Sequence, residues 1–181
     1  MKFASEDLIN EHHGILFGLK ILEKMVFLMN EKKLIEINDL KEIVNFIKLF
    51  ADKCHHGKEE GILFPAMEEF GIPKDNGPIG QMLLEHTEGR KYVAQMNDEI
   101  TKKEFDKNKF SQAATNYISL LRNHINKENN VLFPLGDKKI PQDRQTKILE
   151  LFETFEENVM GAGTHDKLHE LLHNLETKYL K

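Results

Sequence analysis

Cysteine is nearly absent from this 181-residue chain, and tryptophan is wholly absent. The one thiol, Cys54, cannot make an internal disulfide, which agrees with a reducing compartment. No apolar run approaches the roughly 20 residues that span a bilayer. The opening Met1-Lys2-Phe3-Ala4-Ser5-Glu6-Asp7 turns acidic where a signal peptide would be apolar. The expectation is a cytoplasmic protein with no membrane partner. Basic excess is also missing: 25 Lys and Arg stand against 30 Asp and Glu, a formal charge of −5. That balance gives no general attraction to phosphate backbones or anionic lipid, so no nucleic-acid partner is expected.

Proline and glycine are few, 5 and 11 residues, and gather at a few places. Between them run long stretches of Leu, Lys, Glu, Ile and Met at helical spacing, which predicts an all-α fold. The first helix is expected from an N-cap at Ser5 to about Asn30, with Glu6 and Asp7 in its first turn. A second should start near Asn38 or Asp39 and stop by Gly71-Ile72-Pro73. A third should run from about Ile79 to Lys103, and a fourth from about Lys107 to Leu135, ending at Gly136. Short connections between long helices predict an antiparallel up-down-up-down four-helix bundle. Segments 141–158 and 164–179 read as two additional C-terminal helices around Gly161-Ala162-Gly163. The division expected is a bundle over 1–137 and a helical extension over 138–181 packed on it. At this length one substantial core suffices.

One phrase occurs twice. His55-His56-Gly57-Lys58-Glu59-Glu60 leads into Leu63-Phe64-Pro65, and His124-Ile125-Asn126-Lys127-Glu128-Asn129 leads into Leu132-Phe133-Pro134. Each copy carries His-x-x-x-Glu at the same distance before Leu-Phe-Pro, and residues four apart share a helical face. Upstream of each copy an apolar segment carries Glu-His: Glu11-His12 and Glu85-His86. The repeat is therefore a helical hairpin, and its duplication predicts a pseudo-twofold site.

His12 shares its stripe with Leu8, Ile15, Leu19, Leu22 and Val26, and His86 with Met82, Leu83, Val93 and Met96, so both should point inward. His124 and Glu128 lie on the stripe of Tyr117, Leu120, Leu121 and Val131. On the second helix both His55 with Glu59 and His56 with Glu60 have the right spacing. The repeat aligns Glu59 with Glu128 and His55 with His124, whereas His56 and Glu60 align with Ile125 and Asn129. His55 and Glu59 are thus the expected pair, with His56 and Glu60 as alternatives.

Burying an ionised carboxylate is very costly unless it pairs or binds a metal. Chance placement on an ordinary bundle accounts for any one of these residues, but not for six in a repeated register. His12, His55, Glu59, His86, His124 and Glu128 suit a pair of iron, manganese or zinc ions. Bundle cores commonly hold such centres between facing helices. Six protein ligands on two octahedral ions leave room for a bridging oxo or hydroxo group and for an external small molecule.

The ordered set His12, His55-x-x-x-Glu59, His86, His124-x-x-x-Glu128 resembles the hemerythrin-like, histidine-histidine-glutamate cation-binding domain, as do the flanking words Glu11-His12-x-x-Ile15 and Lys58-Glu59-Glu60-x-x-Leu63-Phe64-Pro65. The likeness covers about Glu6 to Pro134. It implies two non-haem iron ions in a four-helix bundle, with Glu59 and Glu128 bridging and the four histidines terminal. It also implies binding of, or reaction with, a small diatomic molecule (dioxygen or nitric oxide) or peroxide, in sensing, storage or stress protection. Oxygen-carrying members have a second histidine on the third helix and His-x-x-x-x-Asp on the fourth. Here the positions one turn either side of His86 are Met82 and Arg90. The set is more similar to bacterial proteins that repair iron-sulfur centres and respond to nitric oxide, so iron donation is an alternative. Those proteins usually also carry a cysteine-containing N-terminal domain, which is not seen here. A non-catalytic, metal-dependent regulatory module is a further alternative, and whether the chain is an enzyme stays open.

His169-Glu170-Leu171-Leu172-His173 matches the zinc-protease pattern His-Glu-x-x-His. No helix follows it to supply a third ligand and no strand precedes it to hold a peptide, so a packing or exposed helix is expected. His165 or His169 folding over the bundle would supply a seventh ligand. Cys54 is read as a packed or surface thiol.

Overall fold

The computed structural model describes residues 2–161 and 163–181, with the side chains of 165 and 166 left out. The chain is all-helical, and no strand occurs among the described residues. Helix α1 is Ala4–Asn30. Helix α2 runs over 37–69 and changes character along its length: α-helical over Ile37–Phe46, π-helical over Ile47–His56 and Glu59–Leu63, and α-helical again over Phe64–Glu69. Helix α3 is Pro78–Thr101. Helix α4 runs over 107–139, with a π-helical insert at Glu128–Leu132. Helices α5 (Gln142–Met160) and α6 (Thr164–Tyr179) follow.

The punctuation is mostly the one expected. Asp106 caps α4 by accepting from the Asn108 and Lys109 backbone N–H groups at 3.0 and 3.2 Å. Pro78 opens α3, where its missing N–H costs nothing. Gly71, at φ 78°, ends α2, and the Ile72 and Gly71 amides close back on the Met67 and Glu68 carbonyls, both at 3.0 Å.

Two ends differ from expectation. Ser5 is not the N-cap of α1: the helix begins at Ala4, whose amide donates to Gln145 Oε1 of α5 at 2.9 Å, and Ser5 Oγ instead donates to Asp137 at 2.8 Å. A tertiary partner has taken over the capping role. Helix α4 does not stop at Gly136 but continues to Lys139, because that glycine serves close packing: a Cβ there would stand 2.4 Å from Met67 Cε.

Helices α1 to α4 each touch the next and α4 returns to α1, so their apolar stripes converge on one interior. Two clusters fill it. Leu19, Leu22, Phe46, Ile47, Phe110 and Tyr117 anchor one; Leu8, Leu63, Phe64, Met82 and Phe133 anchor the other. Helices α5 and α6 both pack on the α1–α2 side. Ile148 and Phe152 of α5 join the second cluster, and Leu168, Leu172 and Leu175 of α6 join the first. The end of α6 is pinned to the start of α2: Lys178 pairs with Asp39 at 2.6 Å and Glu36 at 2.8 Å, and the Tyr179 hydroxyl donates to Asp39. No helix among the described residues is long and apolar enough to cross a membrane.

The approach to α3 turns on Gly77. A Cβ at this position would lie 2.1 Å from the Pro73 carbonyl oxygen, so the backbone itself would have to move. Gly77→Ala should therefore destabilise the protein by about 1–3 kcal/mol, in the range of overpacked sites. Thermal unfolding of the two proteins checks this, and an unchanged midpoint would contradict it.

Candidate metal centre

All six residues singled out by the repeat meet in one buried pocket, each 0–1% exposed. His12 comes from α1, His55 and Glu59 from α2, His86 from α3, His124 and Glu128 from α4. The twofold relation of the sequence holds in space. Glu59 Oε1 lies 3.4 Å from His55 Nε2 of its own helix and Oε2 lies 3.3 Å from His86 Nε2 of the other hairpin. Glu128 Oε2 lies 3.2 Å from His124 Nε2 and 3.3 Å from His12 Nε2. Each carboxylate thus spans imidazoles of both halves.

A further histidine belongs to the pocket. Alignment of the repeats leaves His56 only as an alternative to His55, yet it is buried at 3% exposure. Its ring stacks on His86 with centroids 3.9 Å apart. The cause is the π-helical stretch Ile47–His56. A π-helix bonds i to i+5, so each turn takes up one more residue and successive side chains diverge by less than the ~100° of an α-helix. His55 and His56 therefore both face inward. The cue missed was the dipeptide itself, read on an α-helical wheel that admits one inward residue of an adjacent pair.

Two groups of four side chains bring ligand-type atoms within 4.8 Å of one another: His56, Glu59, His86 and His124, and His12, His55, Glu59 and Glu128. Glu59 belongs to both. The alternatives fare differently. Glu60 stays outside, half-buried, and accepts from His86 Nδ1 at 2.7 Å. His169 is exposed on α6, and neither group includes it. The side chain of His165 lies outside the described residues. Cys54, beside His55, is fully buried with its thiol close to Glu11 and Glu156, and burial pushes that thiol up to about 12.

The polarity of the pocket is consistent all round. Every inward imidazole turns Nδ1 outward to an oxygen: His12 to Asn129 at 2.7 Å, His55 to Glu11 at 2.8 Å, His56 to Asp52 at 3.4 Å, His86 to Glu60 at 2.7 Å and His124 to Glu85 at 3.0 Å. A carboxylate or amide oxygen only accepts, so Nδ1 carries a proton, and Nε2 is the nitrogen turned to the centre, where it can take a second proton or a cation. The outer partners repeat as the sequence does. Glu11 and Glu85, each preceding a pocket histidine, hold the histidine of the paired helix; Asn129 and Glu60, at equivalent positions of the repeat, hold the histidine of the opposite hairpin. Phe133 and Phe64 of the Leu-Phe-Pro words stack on His12 and His86, at 5.6 and 5.9 Å.

Toward the centre nothing is satisfied. Nε2 of His12, His55 and His56 and all four oxygens of Glu59 and Glu128 have no hydrogen-bond partner among the described residues. Nε2 of His86 and His124 face each other at 3.1 Å, two lone pairs that need a proton or a cation between them. The protein's own charges show what the pocket demands. Burial opposes the imidazolium at His55, but the carboxylates of Glu59 and Glu11 outweigh it and lift the pKa to about 10. His124 goes the same way, to about 9, through Glu128 and Glu85. Burial and the nearby His86 push His56 well down. Positively charged His55 and His86 overcome the burial of Glu59 and keep its carboxyl well below the usual range.

These features define a buried, oxygen- and nitrogen-lined cation site in a helical bundle. The chain belongs to the hemerythrin family: the hemerythrin HHE cation binding domain matches residues 4–136. No curated protein matches the chain, and no solved structure does.

Imidazoles raised in the fold stabilise it fully below their unfolded pKa of 6.5 and lose that contribution as pH rises through the folded value. His56, shifted down, works against the fold only below pH 6.5. The metal-free protein should accordingly melt at progressively lower temperature as pH rises from 6.5 to about 10. A midpoint that holds or climbs across that window would show His55 and His124 to be neutral in the fold.

Proposed function

We propose that this chain holds a carboxylate-bridged pair of non-haem iron ions and uses it to bind, or react with, dioxygen, nitric oxide or peroxide. The observation carrying this reading is the shared orientation of the pocket. Five imidazoles have Nδ1 engaged outward and Nε2 directed inward onto two carboxylates that accept no hydrogen bond. Protonated rings in an ordinary polar core would instead bond through both nitrogens. Mixed imidazole and carboxylate donors suit iron, and bound iron supplies one-electron and Lewis-acid chemistry toward small ligands. In this reading the four helices run up-down-up-down, as their short connections favour.

His56, His86 and His124 would hold one ion, and His12 and His55 the other, with Glu59 and Glu128 shared. The second ion would have one protein nitrogen fewer, which would leave a place for an external ligand. His56 thereby supplies from α2 what the resemblance leads one to seek near Met82 or Arg90 on α3. Met82 is core packing, and Arg90 donates to Asp52 and Glu60 at 2.7 and 2.8 Å, holding the oxygens that orient His56 and His86. The chain's own work is to exclude water, keep the tautomers set through Nδ1 and hold the Glu59 carboxylate ionised. Donation of iron to damaged iron-sulfur centres is a second reading, favoured by the half-exposed Arg90, Asp52 and Glu60 on one flank.

Fully loaded protein should contain two metal ions per chain, with optical spectra that change on anaerobic reduction and again on exposure to dioxygen or nitric oxide. Glu59→Ala should abolish loading, and His56→Ala should lower it, whereas Glu60→Ala should only weaken it. Fewer than two ions in loaded wild-type protein overturns the dinuclear reading.

A further inference from the structure

The internal repeat extends to the lysines before the two central glutamates, and the halves use them alike. Lys58 Nζ donates to Glu11 Oε1 at 2.7 Å, and Glu11 Oε2 accepts from His55 Nδ1 at 2.8 Å. Lys127 donates to Glu85, which accepts from His124 Nδ1 at 3.0 Å. The two Lys-Glu-His relays differ in one respect: Lys58 is fully buried, while the Lys127 side chain is 41% exposed.

Helix α5, which lies outside the duplicated unit, makes the difference. It approaches α2 so closely at Gly57 that a Cβ there would stand 2.7 Å from Phe155 Cζ. Phe152 lies under the Lys58 ammonium at 5.1 Å, and Glu156 reaches it at 3.6 Å, with Asp7 of α1 at 2.8 Å on another side. An ammonium taken out of water is costly unless well paired, and here three carboxylates and a ring face meet it. Nothing comparable among the described residues covers the other flank, where Lys127, Arg90, Asp52 and Glu60 all keep solvent contact.

Resting on the dinuclear reading above, we propose that Lys58, sealed under α5, is a positioning residue that locks the ion held by His12 and His55. The ion held by His56, His86 and His124 is the exchangeable one: Asp52 and Glu60, the outer partners of His56 and His86, are partly exposed, and so is Lys127 behind the buried Glu85. Outer-shell partners of a ligating histidine set its orientation and basicity, and losing one commonly lowers metal affinity about 10–100-fold. A partner that water can replace resists ligand rotation less than one held in a dry, paired network.

The test is release of iron from the iron(II)-loaded full chain into excess ferrozine under anaerobic conditions, followed by absorbance. Wild type should release iron in two phases of equal amplitude. Lys127→Met should accelerate the fast phase and leave the slow one, and Lys58→Met should accelerate the slow phase about tenfold or more. Phe155→Ala, which opens the α5 contact without touching the relay, should do the same, and it alone decides if circular dichroism shows Lys58→Met unfolded. A single phase in wild type, or a slow phase unchanged in Phe155→Ala, overturns the inference. Fewer than two irons per chain at the start overturns the dinuclear reading itself, and the inference with it.

Discussion

Glu59 and Glu128 are wholly buried, and neither accepts a hydrogen bond among the described residues. This is the constraint on which the rest depends. Two ionised carboxylates without donors, inside a core of Leu, Phe and Met, would cost far more than a domain's net stability of about 5–15 kcal/mol allows. Compensating positive charge must come from within the pocket. The imidazoles supply some of it as protons, which is why His55 and His124 sit above their ordinary pKa, but a proton satisfies one lone pair at a time. A divalent cation satisfies several at once and lets every imidazole stay neutral, the protonation state that metal binding requires.

The helices are shaped to this end. Three π-helical stretches occur among the described residues, and they contain His55, His56, Glu59 and Glu128. A π-turn widens the helix at the expense of regular hydrogen bonding, and such turns concentrate at functional sites. In α2 the longest of them brings an adjacent pair of histidines to one face; in α4 the residue after His124 is Ile125, which goes into the apolar core instead. The result is a symmetric six-residue frame with one added imidazole. That addition makes the two halves of the pocket chemically unequal.

Much of this was legible before any coordinates. The repeat identified the hairpin unit, the inward stripes placed His12 and His86, and glycine and proline marked most helix ends. What escaped was set by tertiary packing. No pattern around Ser5 announces that Gln145, far along the chain, will take the Ala4 amide. The burial of His56 follows from a local change of helical pitch that α-helical periodicity cannot express. The repeat aligns His55 with His124 and leaves His56 as an alternative, because the second hairpin has Ile125 at the matching position. Outer partners such as Glu11 and Glu85 were visible as repeated neighbours of His12 and His86, but their role became readable only when each was found holding the histidine of another helix.

Duplication explains the economy of the arrangement, and departure from duplication explains its specificity. Two copies of one hairpin place matched carboxylates between matched imidazoles, so a single folding solution builds both halves. Left alone, such a frame would hold two equivalent ions. Here two asymmetric additions act on opposite flanks. His56 adds a nitrogen on the flank where Asp52, Glu60 and Arg90 stay near water, while α5 lays apolar and acidic side chains over Lys58 on the other. On the dinuclear reading proposed above, the ion with fewer protein ligands would be enclosed in the drier surroundings, and the one with more ligands would stand nearer to solvent. That pairing is physically coherent. Where ligand number leaves a coordination position for chemistry, retention of the ion must come from the rigidity of what surrounds it; where ligands are plentiful, the surroundings can afford to be wet.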